Sequence, residues 1–201
     1  VVPQLEAAYF SSFSTLFPSI DSSTIFRVSS SNVSDLIGIR LDNPGEVGAD
    51  RLVNGIAAFN LCNTGSIVID FGTAITFDCI SHTCEYLGGL ILPGLKIALN
   101  ALSEKAAKLP QIDISIPPEK VIGTSTVTAM KSGVMNGYGA MVEGLIQRID
   151  HEMSERVPGT ITIIATGGMA ELIQPFAPSI QRVEPDLTLH GLFYIFSKLT
   201  S

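Results

Sequence analysis

The stretch SIVIDFGTAITFD, residues 66 to 78, constrains this chain more than any other. Ile67, Val68 and Ile69 are consecutive β-branched residues, the pattern of a buried strand. The run ends on Asp70, turns through Phe71-Gly72-Thr73, and resumes as a second apolar run from Ala74 to Phe77. Two such runs so close together predict a tight hairpin with a carboxylate, a glycine and a threonine at its mouth. That trio suits phosphate chemistry. Gly72 has no Cβ and lets backbone approach a ligand, Thr73 offers a hydroxyl and an N–H to phosphate oxygens, and Asp70 can hold a cation. The same residues also make an ordinary turn, and the stretch alone does not decide between the two. Asp70-Phe71-Gly72 matches the metal motif of protein kinases, but no HRD-type loop or VAIK-type strand precedes it, so that reading fails.

Around the hairpin, strand and helix patterns alternate, which predicts an α/β fold. Residues 3–17 have a helical spacing of apolar side chains (Leu5, Tyr9, Phe13, Phe17), and Ile25–Val28 reads as a short strand. Asp42-Asn43-Pro44 is a helix-start signal, predicting a helix to about Asn60 that carries Val47, Leu52, Val53, Ile56 and Phe59. Strands are predicted at 86–92 and 160–165, and helices at 96–108, 125–155 and 189–199, with a short helix after Gly168. An extended connector leads into the long helix, and no repeat of solenoid period is present.

Composition narrows the function classes. The 201 residues are 46% hydrophobic and 15% charged, enough for a real core and too apolar for disorder. The net charge of -7 argues against nucleic-acid or membrane partners, so any phosphate must be met by backbone N–H groups, a few cations or a metal. Cys62, Cys79 and Cys84 are an odd number at irregular spacing, which fits free thiols in a reducing, cytoplasmic setting better than a disulfide framework. Cys79, His82 and Cys84 offer three ligands with no fourth at zinc spacing. His151 and His190 have no evident partners.

Two further motifs carry chemistry. In EVGADRLVN (46–54), Gly48 falls inside the predicted helix, where glycine costs about 1 kcal/mol relative to alanine, so a close backbone approach is expected there. Asp50 and Arg51 are adjacent and must point apart, as a general base beside an anion clamp would, or as residues of a solvated helix face would. In ATGGM (165–169), a strand, a glycine turn at Gly167-Gly168 and a helix start have the usual geometry for an anion or nucleotide at a helix N-terminus, but Gly-Gly turns are common and the motif alone does not decide.

Taken in order, DNPGEVGADRLVN (42–54), VIDFGTAITFD (68–78), EYLGGLILPGL (85–95), KAAKLP (105–110), VIGTSTVTAMKSGVMNGYGAMVEGL (121–145), IATGGMAELI (164–173) and DLTLHGL (186–192) resemble the type III pantothenate kinases over nearly the whole chain. The resemblance implies the duplicated RNase H-like fold of the actin, sugar-kinase and heat-shock ATPase superfamily, with a first domain that is incomplete in this chain. It would comprise 1–57, a second RNase H-like domain 58–188, and a closing helix 189–201. It implies ATP-dependent phosphorylation of pantothenate, the first step of coenzyme A biosynthesis, by a cytoplasmic homodimer using ATP, Mg2+ and a monovalent cation, K+ or NH4+. It further implies Asp50 as the base, Gly48, Ala49, Arg51 and Thr126 in the pantothenate site, Gly72, Thr73, Gly167 and Gly168 around ATP, and Asp70 on the monovalent cation.

Three departures stand out. The family's first phosphate hairpin, Asp-x-Gly-Asn-Thr, does not occur in these 201 residues, Leu41 replaces an aromatic residue, and Ser125 replaces an asparagine. The expectation is therefore an amino-terminally shortened chain that is inactive alone and tends to associate. A catalytically silent binding or dimerising relative, or a regulatory one, is the alternative.

Overall fold

The computed structural model describes residues 25–106 and 108–200, together with Ala8, 11–13 and 15–17. The helix expected over 3–17 lies largely outside the described residues. The centre of the molecule is a six-stranded mixed sheet in the order β1-β4-β3-β2-β5-β6. Its strands are β1 (Gly38–Ile39), β2 (Ser66–Phe71), β3 (Ala74–Ile80), β4 (Glu85–Pro93), β5 (Thr162–Thr166) and β6 (Arg182–Val183). β2, β3 and β4 form an antiparallel meander, and β5 then pairs parallel with β2, placing Asp70 opposite Thr166. Return to a parallel neighbour requires a crossover, and the chain supplies helices α2 (Leu95–Lys105) and α3 (Thr126–Ser154) between β4 and β5. The short α4 (Ala170–Ile173) follows β5, and α5 (Leu187–Leu199) ends the described chain.

Helices cover both faces of the sheet, which explains the near-continuous burial of β2. On one face Ile67, Ile69, Phe71 and Phe77 pack against Met135, Val142, Ile146 and Ile149 of α3. On the other, α1 (Ala49–Cys62) brings Leu52, Val53 and Ile56 against Ile80 and Tyr86, with Ile195 of α5 behind them. Each fully buried Leu or Ile contributes about 1.5–3 kcal/mol, so this apolar stripe fixes how α1 lies on the sheet. α1 stops at Asn63, whose left-handed backbone (φ 53°) turns its N–H back to the Phe59 carbonyl. Ser125 caps α3 reciprocally with Thr128, as a Ser-x-x-Thr start can.

Two sequence expectations are corrected. The helix expected from Pro44 to Asn60 is broken: Pro44–Glu46 form one 3-10 turn, Val47 and Gly48 are extended, and α1 begins at Ala49. Gly48 is therefore the cap residue before the helix, not a residue inside it. Ile25–Val28, expected as a strand, pairs with no strand of the sheet. Among the described residues no helix is long and apolar enough to cross a membrane.

Candidate active site

The carboxyl ends of the parallel strands β2 and β5 lie side by side, and the start of α1 comes to the same end. Asp70 is half-buried at the end of β2. Its Oδ2 accepts a 3.3 Å bond from Asn54 Nδ2, one helical turn beyond Asp50 on the same face of α1. The amide of Asn54 is itself oriented, because its Oδ1 accepts a 2.7 Å bond from the Thr188 hydroxyl of α5. Gly167 closes the other side. At φ +87° it holds a backbone conformation that suits glycine, and a Cβ there would stand 2.4 Å from Asp70 Oδ1 and 2.8 Å from the Phe71 nitrogen. Burial raises the Asp70 carboxyl above the ordinary carboxylate range; the bond from Asn54 opposes this, and the charge of Asp50 adds to it. Asp70 thus faces one neutral donor and one like charge.

Asp50 is exposed in the first turn of α1, where the helix dipole favours a carboxylate. Its Oδ1 accepts a 3.0 Å bond from the Arg51 N–H. A Cβ on Gly48 would lie 2.5 Å from the same oxygen, so the close approach foreseen at Gly48 is that of the Asp50 carboxylate.

Arg51 points away from Asp50, into the sheet. Its Nε donates to Asp78 Oδ1 at 2.6 Å, and its Nη2 donates to the Phe77 and Leu90 carbonyls at 3.0 and 3.3 Å. Its Cζ sits 5.7 Å from the centroid of the Tyr86 ring. Asp78 is fully buried and also accepts from the Tyr86 hydroxyl at 2.8 Å and the Thr76 hydroxyl at 3.3 Å. Most of the guanidinium is therefore committed to the fold.

Gly72 and Thr73 are exposed at the hairpin mouth, and the Thr73 carbonyl accepts a 3.1 Å bond from the Gly94 N–H. Gly168 is exposed beside Gly167, and α4 behind it is only four residues long. Gly48, Ala49, Asp50, Asp70, Gly72, Thr73, Gly167 and Gly168 thus share one end of the sheet. Thr126 does not join them by any hydrogen bond among the described residues; it is exposed in the first turn of α3. Asn54, Thr188, Asp78 and Tyr86 are participants that the sequence motifs did not single out. A hollow of about 390 Å3 between β4 and α3, lined by Cys79, Leu90, Arg148 and Ile149, shares no residue with this group.

Two carboxylates, Asp50 and Asp70, and glycine turns gather at the carboxyl ends of the strands, the edge at which open α/β sheets generally take ligands. A profile of the type III pantothenate kinases matches residues 1–148. The type III pantothenate kinase of Desulfotalea psychrophila is 44% identical over 201 residues, covering 99% of this chain and 74% of the relative. Those of Desulfatibacillum aliphaticivorans and Moorella thermoacetica are each 49% identical, covering 81% of this chain and 62% of the relative. The chain belongs to the type III pantothenate kinase family. The crystal structure of a Baf family protein from Campylobacter jejuni superposes with a TM-score of 0.57 at 20% identity, covering 83% of this chain and 71% of that one, a likeness of fold.

Proposed function

We propose that this chain carries the acceptor site and one phosphate-facing edge of a kinase that transfers a phosphoryl group from ATP to pantothenate, giving 4′-phosphopantothenate in the first step of coenzyme A biosynthesis. The observation that carries the reading is the exposed Asp50 at the open end of α1, within electrostatic reach of Asp70, in a chain of this family. Asp50 takes the proton of the primary hydroxyl of pantothenate. The oxygen forms its bond to the γ-phosphorus as the bond to the β–γ bridging oxygen breaks, and ADP leaves. Gly48, Ala49, Arg51 and Thr126 line the pantothenate site, and Gly72, Thr73, Gly167 and Gly168 meet the phosphates.

Asp70 fits a monovalent cation, K+ or NH4+, because its half-buried carboxylate has a neutral donor and a like charge as neighbours. Among the described residues no group of three or more His, Cys, Asp or Glu side chains could hold a metal ion. Mg2+ would come with the phosphates of ATP and need only one or two carboxylates of the protein, as is usual for this ion.

The strand order β4-β3-β2-β5-β6 with an antiparallel β3 supports the reading of the described sheet as one RNase H-like domain of a duplicated, actin-like fold. On that reading the first domain ends near residue 57, the second runs over 58–188, and 189–201 close the chain. Exposed Ile116, Val121 and Ile122, just before the start of α3, support a homodimer. The net charge of -7 fits an enzyme with neither nucleic acid nor membrane as partner, and the cytoplasm is where such a biosynthetic kinase would work.

The test is product formation from pantothenate and ATP, followed by mass spectrometry, for the 201-residue chain and for a form extended by an upstream Asp-x-Gly-Asn-Thr hairpin. Asp50→Asn keeps the volume but cannot accept the proton, and should lower turnover by about 100- to 10,000-fold. Near-normal turnover in that variant excludes Asp50 as the base.

A further inference from the structure

Asp78 is a fully buried carboxylate that the proposed chemistry does not use. A buried ion pair is poor evidence of a gain in stability, since apolar residues of the same volume often serve as well. What such a pair supplies is placement. Arg51 stands in the first turn of α1, where the helix dipole disfavours a cation, so its position there needs another reason.

The chain of contacts is short. Tyr86 and Thr76 hold the Asp78 carboxylate, whose Oδ1 holds Arg51 Nε at 2.6 Å. The two strand carbonyls and the Tyr86 ring fix the plane of the guanidinium. The backbone N–H of the same Arg51 is shared between Asp50 Oδ1 at 3.0 Å and the Gly48 carbonyl at 3.1 Å, and the missing side chain at Gly48 leaves the Asp50 oxygen its room.

We propose that Asp78 and Tyr86 are positioning residues for Asp50, acting through Arg51, which they hold on β3 and β4 with its N–H aimed at the base. This rests on the reading of Asp50 as the base. It assigns the guanidinium of Arg51 to orienting the site rather than to gripping the substrate's anion.

The experiment compares Tyr86→Phe and Asp78→Asn, each alone and combined with Asp50→Asn. Misplacing a base by about 1 Å costs on the order of 100-fold, so Asp78→Asn should approach that loss in kcat, and Tyr86→Phe should lose several-fold. The KM for pantothenate should stay within about twofold, because the lost interaction acts on the reacting geometry. In the Asp50→Asn background neither change should lower turnover further, since both act through that carboxylate. Equal losses in both backgrounds, or a raised KM at unchanged kcat, overturn the proposal; the second would make Arg51 a substrate clamp.

Tyr86→Phe removes one hydroxyl and is the safer variant if Asp78→Asn fails to fold. The 13C resonance of the Asp50 side-chain carboxyl, read without substrate, should move in Tyr86→Phe, and an unmoved resonance overturns the proposal. The turnover comparisons use the form extended by the upstream Asp-x-Gly-Asn-Thr hairpin; absence of turnover in that form without substitutions would sink the kinase reading, while the carboxyl resonance still decides the positioning claim.

Discussion

Asp70 and Asp78 stand eight residues apart on one hairpin, and burial raises the carboxyl of each above the ordinary range. Their surroundings differ in kind. Asp78 has a guanidinium, a phenol and a hydroxyl, and every donor comes from the protein. Asp70 has the amide of Asn54 on one oxygen, the backbone of Gly167 crowding the other, and the charge of Asp50 nearby. A buried carboxylate that the protein compensates fully belongs to the architecture. One left with incomplete compensation, at the open end of a sheet, is set up for a charge that arrives from outside.

Stability separates the two most strongly. Asp78→Ala leaves the Arg51 cation without its partner, and breaking a buried pair from one side costs about 3–5 kcal/mol. Asp70→Asn removes a carboxylate that has no cationic partner among the described residues and lies near a like charge, so urea denaturation should show little loss or a small gain. Equal losses for both variants would erase the distinction. A smaller effect is expected behind Asp70. Gly167→Ala places a Cβ against Asp70 Oδ1 and Phe71 at φ +87°, and such backbone strain costs on the order of 1–3 kcal/mol. A neutral Gly167→Ala would mean that the wall around Asp70 is soft.

The mildest prediction probes the neighbour of Asp78. Burial, with the Asp78 charge second, pushes the Cys79 thiol up to about 12, and burial pushes Cys84 up to about 11. All three cysteines are free. At about pH 8 very little Cys79 is thiolate, so the half-buried Cys62 should be alkylated first in the native protein and Cys79 last. Labelling of Cys79 as fast as Cys62 would show that the Asp78 side of the hairpin opens readily.

The hairpin, the crossover helices and the glycine turn after β5 could be read in the sequence because each has a local signal: β-branched runs, long segments in the alternation of strand and helix patterns, Gly-Gly after an apolar stretch. The break at Val47-Gly48 could not. Pro44 signals a helix start equally well for one turn or four, and Val47-Gly48 is compatible with either outcome. Ile25–Val28 has strand-forming residues, but pairing needs a free edge in register. β1 and β6, at two residues each, are too short to leave a pattern. The partners of the acidic residues lay furthest from view. Arg51 meets a carboxylate 27 positions on, and Asn54 is oriented by a hydroxyl 134 positions on. Asp50 next to Arg51 suggested a base with its clamp; only the fold turns the guanidinium down onto β3.

A potassium titration run in parallel on Asp70→Asn and Asp78→Asn tests the division of labour most directly. Initial rates of pantothenate phosphorylation are followed at constant ionic strength, with sodium as the replacement ion. The account predicts that Asp70→Asn loses its response to potassium while unfolding at an unchanged urea midpoint. Asp78→Asn should keep the potassium activation constant of the unsubstituted protein while its turnover and urea midpoint both fall. The reverse pattern, with potassium dependence lost at Asp78 and retained at Asp70, would contradict it.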